Sequence, residues 1–396
     1  MKMRDVIGLF TRSHWVIHRS HQPSRIASFS SYLFGSSSPA AATTCPLYPC
    51  HHGRALGTTL VAVGLCASTS PVTSVGISHY GFRQGLTIAM HFHRYTSSFQ
   101  STTSVSSAIK ELTSKFEERA IPEADISAQY IVGHVLGIKQ LSDFERVDHT
   151  RHLSTVEIEK LSEMTEQKLA RMPLPYILGE WEFRDISLMM RQPVFIPRPE
   201  TEMLIDLVAS HYDNTRKLKV LEVGCGSGAI SIAILKEFEK AHVTAIDASL
   251  DAVQLTRENA EMLGLAERLH IHHYSLTEET VPVSLLGEGP RFDAIVSNPP
   301  YVFSGDMDDL EQEILRYEDF NALEAGPEGM SVIITILQQA KHLLRPGGLI
   351  WLETDTRHHQ MIKDLLEKRP DFGVVFRESF LDFTDRPRFC QLEYAP

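Results

Sequence analysis

From Leu218 to the C-terminus the chain alternates between short apolar runs and longer stretches of helical spacing, and that alternation leaves few architectures open. Strands are expected over 219–223, 242–246, 269–273, 292–296 and 349–354, with helices over 229–240, 250–263 and 331–344 between them. Pro346-Gly347-Gly348 punctuates the last helix from its strand, and 374–382 with 388–394 reads as a closing hairpin. Runs too short for helices, joined by amphipathic segments long enough to cross over, pair as a mostly parallel sheet with helices on both faces. An α/β domain over 203–396 is therefore expected.

Ahead of it, 106–180 reads as a small domain of three to five helices. Ile109, Leu112 and Phe116 form one apolar stripe, Ile126, Tyr130, His134 and Leu136 a second, and Ile158, Leu161, Met164 and Leu169 a third. Pro122 suits the first turn of the second helix and Gly137 its stop. Residues 181–202 read as a hairpin and linker ending in Ile196-Pro197-Arg198-Pro199-Glu200-Thr201-Glu202. The prolines there hold an extended approach, and the acids then fall in the first turn of a helix.

Residues 1–105 read as a leader. Between Met1 and Ala108, eight Lys/Arg stand against Asp5 alone, in a stretch rich in Ser and His. That composition matches an organellar transit segment and points to the mitochondrial matrix. A disordered tail, or upstream sequence with Met90 as the working start, has the same composition. The apolar run 59–76 is broken by Ser68, Ser70, Pro71 and Ser74, and falls short of the ~20 strongly apolar residues a membrane span needs. Cys45, Cys50, His51 and His52 match no common ligand spacing, so no metal site is expected.

The chemistry is concentrated in two places. Val220-Leu221-Glu222-Val223-Gly224-Cys225-Gly226-Ser227-Gly228 carries a strand into a glycine-rich turn and then a helix. Such glycines let backbone approach a bound molecule where a Cβ would clash. Asp247 closes the second strand nineteen residues after Gly228, where a carboxylate can accept both hydroxyls of a ribose. A nicotinamide-binding domain follows the same logic. Here, however, the turn is G-x-G-x-G after Glu222, with Ala229 in place of a further glycine, which favours S-adenosylmethionine as the cofactor. The second place is Ser297-Asn298-Pro299-Pro300-Tyr301, directly after the strand 292–296. It sets one carboxamide and rigid carbonyls beside the ligand crevice. A planar NH2 group needs that arrangement: two acceptors for its N–H bonds and an apolar wall against its face. A dehydrogenase has no use for it. Together the two segments imply methyl transfer to an amide or amino nitrogen.

Pro197-Arg198-Pro199-Glu200-Thr201-Glu202, the glycine-rich turn, Ser297 to Tyr301, the run Arg171 to Gly179 and Arg386-Pro387-Arg388-Phe389 together resemble one family. It is the HemK/PrmC-type protein-(glutamine-N5) methyltransferases, which modify the glutamine of the Gly-Gly-Gln motif in class I peptide-chain release factors. The resemblance covers about 108–392 and, given the leader, is nearest to the mitochondrial member. It implies a class I S-adenosylmethionine-dependent methyltransferase fold, Rossmann-like with a mostly parallel seven-stranded sheet, and a small N-terminal helical domain that docks the release factor. It also implies that Gly224, Cys225, Gly226, Ser227 and Gly228 hold the methionine end of the cofactor and Asp247 the ribose. Glu222 either faces the cofactor or orients the loop. Asn298 contacts both cofactor and substrate, and Pro299, Pro300 and Tyr301 frame the glutamine. After the third strand the family carries an Asp and then a residue near the adenine; here Ser275 and Leu276 stand in those places.

An amide nitrogen is a poor nucleophile because its lone pair is delocalised into the carbonyl. The expected catalytic set is Asn298, Pro299 and Tyr301: the Asn298 side-chain oxygen and the Pro299 carbonyl accept the two substrate N–H bonds and aim the nitrogen at the methyl group. Two other readings compete. A nucleic-acid adenine-N6 or guanine-N2 methyltransferase uses a similar motif but needs a basic groove. Beyond Ala108 the chain carries 30 Lys/Arg against 49 Asp/Glu, which argues against direct nucleic-acid contact. A silent adaptor would have no reason to keep both motifs. A monomer without a membrane span is expected. The acidic run Asp306 to Glu313 reads as a solvated helix start near the site.

Overall fold

In a computed structural model, the described residues are 99–396 apart from 101, 139–140, 278 and 280–290. Most of the expected leader, the 59–76 run and the Cys45–His52 cluster lie outside them. The helical unit takes in Phe99 and starts with α1 (Val105–Glu118), where Ser104 and Ser107 form a reciprocal capping box. Val105, Ala108, Leu112 and Phe116 recur at helical spacing and are buried along one face. α2 (Ala124–Val135) begins after Glu123, which sits at φ +48°, so Pro122 lies before the helix and not in its first turn. Gly137 follows its end at φ +74°, the left-handed stop that its residue type permits.

α3 (Thr155–Leu169) opens on a second capping box, Ser154 with Glu157, and Arg151 braces Glu157 with two bonds of 3.1 and 2.6 Å. That guanidinium pulls the Glu157 carboxyl down to about 2. α4 (Leu174–Leu178) is a single turn ended by Gly179. Leu112, Phe116, Ile131 and Leu161 form the centre of the unit's own apolar core. Truncating a fully buried leucine leaves a cavity that neighbours only partly fill. Leu112→Ala should therefore cost this unit about 3 kcal/mol, read as faster hydrogen exchange in α1 and α2. Protection of the sheet should be unchanged.

A two-stranded hairpin follows, β1 (Glu180–Phe183) with β2 (Ile186–Met189). Its turn residues, Arg184 and Asp185, both have positive φ, as the handedness of a tight hairpin requires. Neither is a glycine. Arg184 is instead held by α5 (Pro199–His211), through Asp206 at 2.5 Å and the Glu202 carbonyl at 3.1 Å.

The remaining strands form one sheet: β3 (Lys219–Val223), β4 (His242–Asp247), β5 (Leu269–His273), β6 (Phe292–Ser297), β7 (Leu344–Glu353), β8 (Val374–Leu381) and β9 (Pro387–Tyr394). The spatial order is β5-β4-β3-β6-β7-β9-β8, parallel from β5 to β7 and antiparallel from there. Helices α6 (Ala229–Glu237), α7 (Leu250–Met262), α9 (Ser331–Leu343) and α10 (His358–Lys368) cover it, with the one-turn-and-a-half α8 (Gln312–Tyr317) at its rim. Alternate residues of the central strands feed two cores. Val220, Ala294, Val296 and Trp351 join the core that includes α5 and α6 residues, whereas Leu221, Ile295, Ile350 and Leu352 join the one that includes α9 and α10 residues.

One expected boundary is corrected. Pro346-Gly347-Gly348 does not separate α9 from its strand, because β7 begins at Leu344 directly after the helix. Leu344 pairs with Phe292 and the ladder resumes at Ala294 with Leu349, so the Pro-Gly-Gly residues form a bulge, Gly347 taking φ +74°. Among the described residues no helix is long and apolar enough to cross a membrane.

Candidate active site

β3 and β6 are neighbours, and chain order reverses between them: β4 and β5 lie to one side, β7 and beyond to the other. The carboxyl ends of two such strands open a crevice that no crossing connection can fill. The glycine-rich turn leaves one of these ends and Asn298 the other. Ser297, fully buried, donates from its hydroxyl to the Val223 carbonyl at 2.6 Å and pins the two ends together. A Cβ placed on Gly224 would come to 4.0 Å from the Asn298 carbonyl oxygen.

On the turn, Gly224, Gly226 and Gly228 all have positive φ. Gly228 is the tightest, since a Cβ there would meet the Thr256 methyl at 2.9 Å. The turn hangs from β4: the amides of Gly224 and Cys225 donate to the Ile246 carbonyl at 2.9 and 3.2 Å. Asp247 links the glycine turn to the start of α7, one carboxylate oxygen accepting the Gly226 amide at 2.9 Å and the other the Ser249 amide at 2.8 Å. Burial pushes its carboxyl upward in pKa against these bonds. From α7, Thr256 donates to the Gly226 carbonyl at 3.0 Å. Asn259 donates to the carbonyls of Ser227 at 2.9 Å and Met189 at 3.1 Å, tying the hairpin to the turn.

Glu222 lies beneath, 1% exposed, and one of its oxygens accepts both the amide and the hydroxyl of Ser231 in the first turn of α6. Its other oxygen has no protein partner, and burial raises its carboxyl to about 8. Cys225 is buried, which pushes its thiol well up. Leu276 is half-buried just past β5 and packs against the α9-side core, while Ser275 is exposed. The Tyr274 amide bonds the Asp247 carbonyl at 2.9 Å, which brings that stretch to the rim of the crevice.

On the opposite side, Asn298 is half-buried, and its side-chain NH2 donates to the Thr201 hydroxyl at 3.2 Å. Thr201 comes from the first turn of α5 and is almost fully buried. Tyr301 donates toward Glu353, the last residue of β7, at 3.5 Å. Burial raises the Tyr301 phenol far above its usual value, and the Glu353 charge adds to this. Arg388 from β9, itself bonded to Asp382 at 3.2 Å, faces both. Pro299 is buried and Pro300 half-buried.

The wall beyond Tyr301 is stitched to the linker. Val302 and Leu323 to Ala325 exchange backbone bonds of 2.8 and 3.0 Å. Glu318, with its carboxylate buried, accepts from Arg198 at 2.7 Å and from the Ile196 amide at 3.3 Å. The acidic run is not merely a solvated helix start. Its Glu313 pairs with Arg171 of the helical unit at 3.0 Å, and its Asp306 with Arg357 at 2.6 Å. Thr201, Glu318 and Glu353 were not singled out in the sequence; Thr201 lay inside a motif that was, and an acid ending an apolar strand was the one signal for Glu353.

A glycine cradle and an Asn-Pro-Pro-Tyr segment on adjacent strand ends of this sheet define a class I S-adenosylmethionine-dependent methyltransferase. A family model of the methyltransferase small domain matches residues 200–326, and one of the PrmC N-terminal domain matches 107–179. The chain belongs to the HemK/PrmC-type release factor glutamine methyltransferase family. It is 43% identical over 291 residues to the MTRF1L release factor glutamine methyltransferase of Homo sapiens, spanning 72% of this chain and 86% of that protein. It is 34% identical over 268 residues to the release factor glutamine methyltransferase of Chlorobaculum tepidum, spanning 66% of this chain and 89% of that one.

Proposed function

We propose that this chain methylates the side-chain amide nitrogen of the glutamine in the Gly-Gly-Gln motif of class I peptide-chain release factors, and so supports translation termination. One observation carries the reading: the Asn298 carboxamide donates an N–H to Thr201, which leaves its oxygen as the acceptor, on the strand end next to the one that carries the glycine turn. The Pro299 carbonyl supplies the second acceptor, and Pro300 and Tyr301 form the wall for the flat amide.

S-Adenosylmethionine supplies an electrophilic methyl group when bound. The positive-φ glycines at 224 and 226 leave room for its methionine end, and Gly228, packed against Thr256, closes the turn that Cys225 and Ser227 complete. Each Asp247 oxygen keeps a lone pair beyond the amide it already accepts, enough for the ribose hydroxyls. Leu276 offers an apolar edge for the adenine. Glu222 serves the loop through Ser231, at the start of the helix that follows the turn. Two acceptors on the substrate NH2 raise electron density on nitrogen and stabilise the positive charge that grows there as the N–C bond forms and the C–S bond breaks. The proton leaves to water after transfer, so no strong base is needed.

The helical unit (106–180) docks the release factor, the hairpin and linker (181–202) position it, and 203–396 performs the chemistry. The basic leader directs the chain to the mitochondrial matrix, where it acts as a monomer without nucleic-acid contact. Incubating the full chain with labelled donor and either a release factor or nucleic acid tests the reading. One methyl on the Gly-Gly-Gln glutamine by mass spectrometry is the expected result; label in nucleic acid alone would reverse it.

A further inference from the structure

Resting on that reading, we infer that the tip between β8 and β9 is a docking surface for the release-factor domain that carries the Gly-Gly-Gln loop, with Leu381 and Phe383 as its specificity-determining residues. The loop itself gives the enzyme little to select. Its glycines have no side chains, so the glutamine is the one side chain that the acceptor pocket can read. Preference for an intact release factor over any accessible glutamine must come from contacts outside the pocket.

The strand register puts the tip at the mouth of that pocket. β7 runs parallel to β6, so Glu353 ends β7 at the end of the sheet where Asn298 follows β6. β9 returns antiparallel with Phe389 opposite Glu353, and the connection 382–386 that precedes it therefore stands at the same end. Two contacts close the gap. Tyr301 reaches the Glu353 carboxylate at 3.5 Å, and the Thr354 amide donates to the Arg388 carbonyl at 2.8 Å.

The tip is braced inside and apolar outside. Asp382, 4% exposed, accepts from the amides of Thr384 and Arg386 at 2.8 and 3.2 Å, from the Thr384 hydroxyl at 2.6 Å and from the Arg388 guanidinium at 3.2 Å. The Asp382 amide in turn donates to the Arg386 carbonyl at 2.8 Å. On either side of this buried carboxylate, Leu381 is 50% exposed and Phe383 58%. Single apolar residues on a surface are ordinary, but here two large ones flank one braced residue beside a site that receives a protein. Fixing them beforehand spares the ordering cost that a mobile loop incurs on binding. The matching surface on the release factor is a patch of apolar side chains next to its Gly-Gly-Gln loop.

Steady-state kinetics of the full chain with S-adenosylmethionine test this on two substrates, an intact release factor and a short Gly-Gly-Gln peptide of the same sequence. Leu381→Ser/Phe383→Ser should raise KM for the release factor roughly thirtyfold at unchanged kcat, because two apolar contacts are lost. Donor affinity by calorimetry and kcat/KM for the peptide should stay at wild-type values. If the peptide turns over too slowly to measure, unchanged kcat and donor affinity serve as the control. Phe383→Ser alone should raise KM roughly fivefold and serves if the double variant does not fold, and Phe383→Met should keep most of the affinity. An unchanged KM for the release factor would overturn the inference. So would equal losses on protein and peptide, which mean that the tip only shapes the pocket. A wild-type dimer that the double variant dissolves, read by light scattering, would assign the tip to a second copy of the chain and overturn it too. Any of these beside a release factor methylated by the wild type removes this inference alone, whereas no methylated release factor from the wild type removes the proposed function with it.

Discussion

Asn298→Ala should lower turnover by roughly three orders of magnitude while leaving affinity for S-adenosylmethionine nearly intact. The size of the effect follows from what the carboxamide does. It is not a ground-state handle for a loosely held group, because its NH2 end is anchored on Thr201 and its oxygen is left to accept from the substrate. Loss of that oxygen leaves the substrate NH2 with the Pro299 carbonyl alone, free to rotate away from the line of attack. The transition state then loses both aim and charge stabilisation. The donor side does not share the loss: its turn hangs from Ile246 and Asp247 on β4. Asn298→Asp is the informative second variant, since it keeps an acceptor but can no longer donate to Thr201. It should retain more activity than the alanine form. Near-normal turnover by Asn298→Ala, measured as methyl incorporated under saturating donor, would sink the assignment.

The parts of this fold that could be read from sequence are those whose cause is local. The five parallel strands announce themselves as apolar runs, and Gly137, Gly224, Gly226 and Gly228 all take the left-handed conformations their residue type permits. The two chemical motifs were legible for the same reason, each being a contiguous strand end. What was missed depends on contacts distant in sequence. Thr201 meets Asn298 across 97 residues and Tyr301 meets Glu353 across 52, so neither partner carries a mark of the other. α10 was overlooked because its buried face begins with His358 and His359, two residues that read as polar. Pro346-Gly347-Gly348 misled for a subtler reason. A residue triplet that breaks helices also builds bulges, and only the pairing of Leu344 with Phe292 shows which use is made of it.

The acceptor wall is held from behind as firmly as from the front. Phe303 stacks on His358 with ring centroids 5.0 Å apart and 12° between planes, and the Arg357 guanidinium lies 3.5 Å from the Phe303 ring centroid. His358 is fully buried, and its ring bonds the Glu328 carbonyl at 3.0 Å. Arg171, Glu313 and Tyr317 then connect this wall to the helical unit, Tyr317 donating to the Ala170 carbonyl at 2.8 Å. A partner that docks on the helices would thus press on a segment continuous with the residues that frame its glutamine.

Two glycines in that wall separate backbone strain from packing. Gly326 and Gly329 both have positive φ, +85° and +62°, so alanine at either adopts a conformation that costs about 1–2 kcal/mol. They differ in what a methyl group would meet. Around Gly326 nothing lies within 4 Å. At Gly329 the methyl would overlap the Tyr301 carbonyl oxygen and come to 2.9 Å from the His358 ring nitrogen. Neither neighbour can yield easily, since Val302 is paired to Leu323 and Ala325, and His358 is wedged against Phe303. Overpacking of this kind adds about 1–3 kcal/mol to the strain. Gly329→Ala should therefore lose about 3–4 kcal/mol of stability and most of its kcat, because the atom displaced is the backbone of Tyr301. Gly326→Ala should lose about 1–2 kcal/mol and little activity. Denaturant midpoints at unchanged m-value, read beside kcat for both variants, decide it: equal losses at the two positions would mean that only φ matters there and that the Tyr301 backbone is free to move.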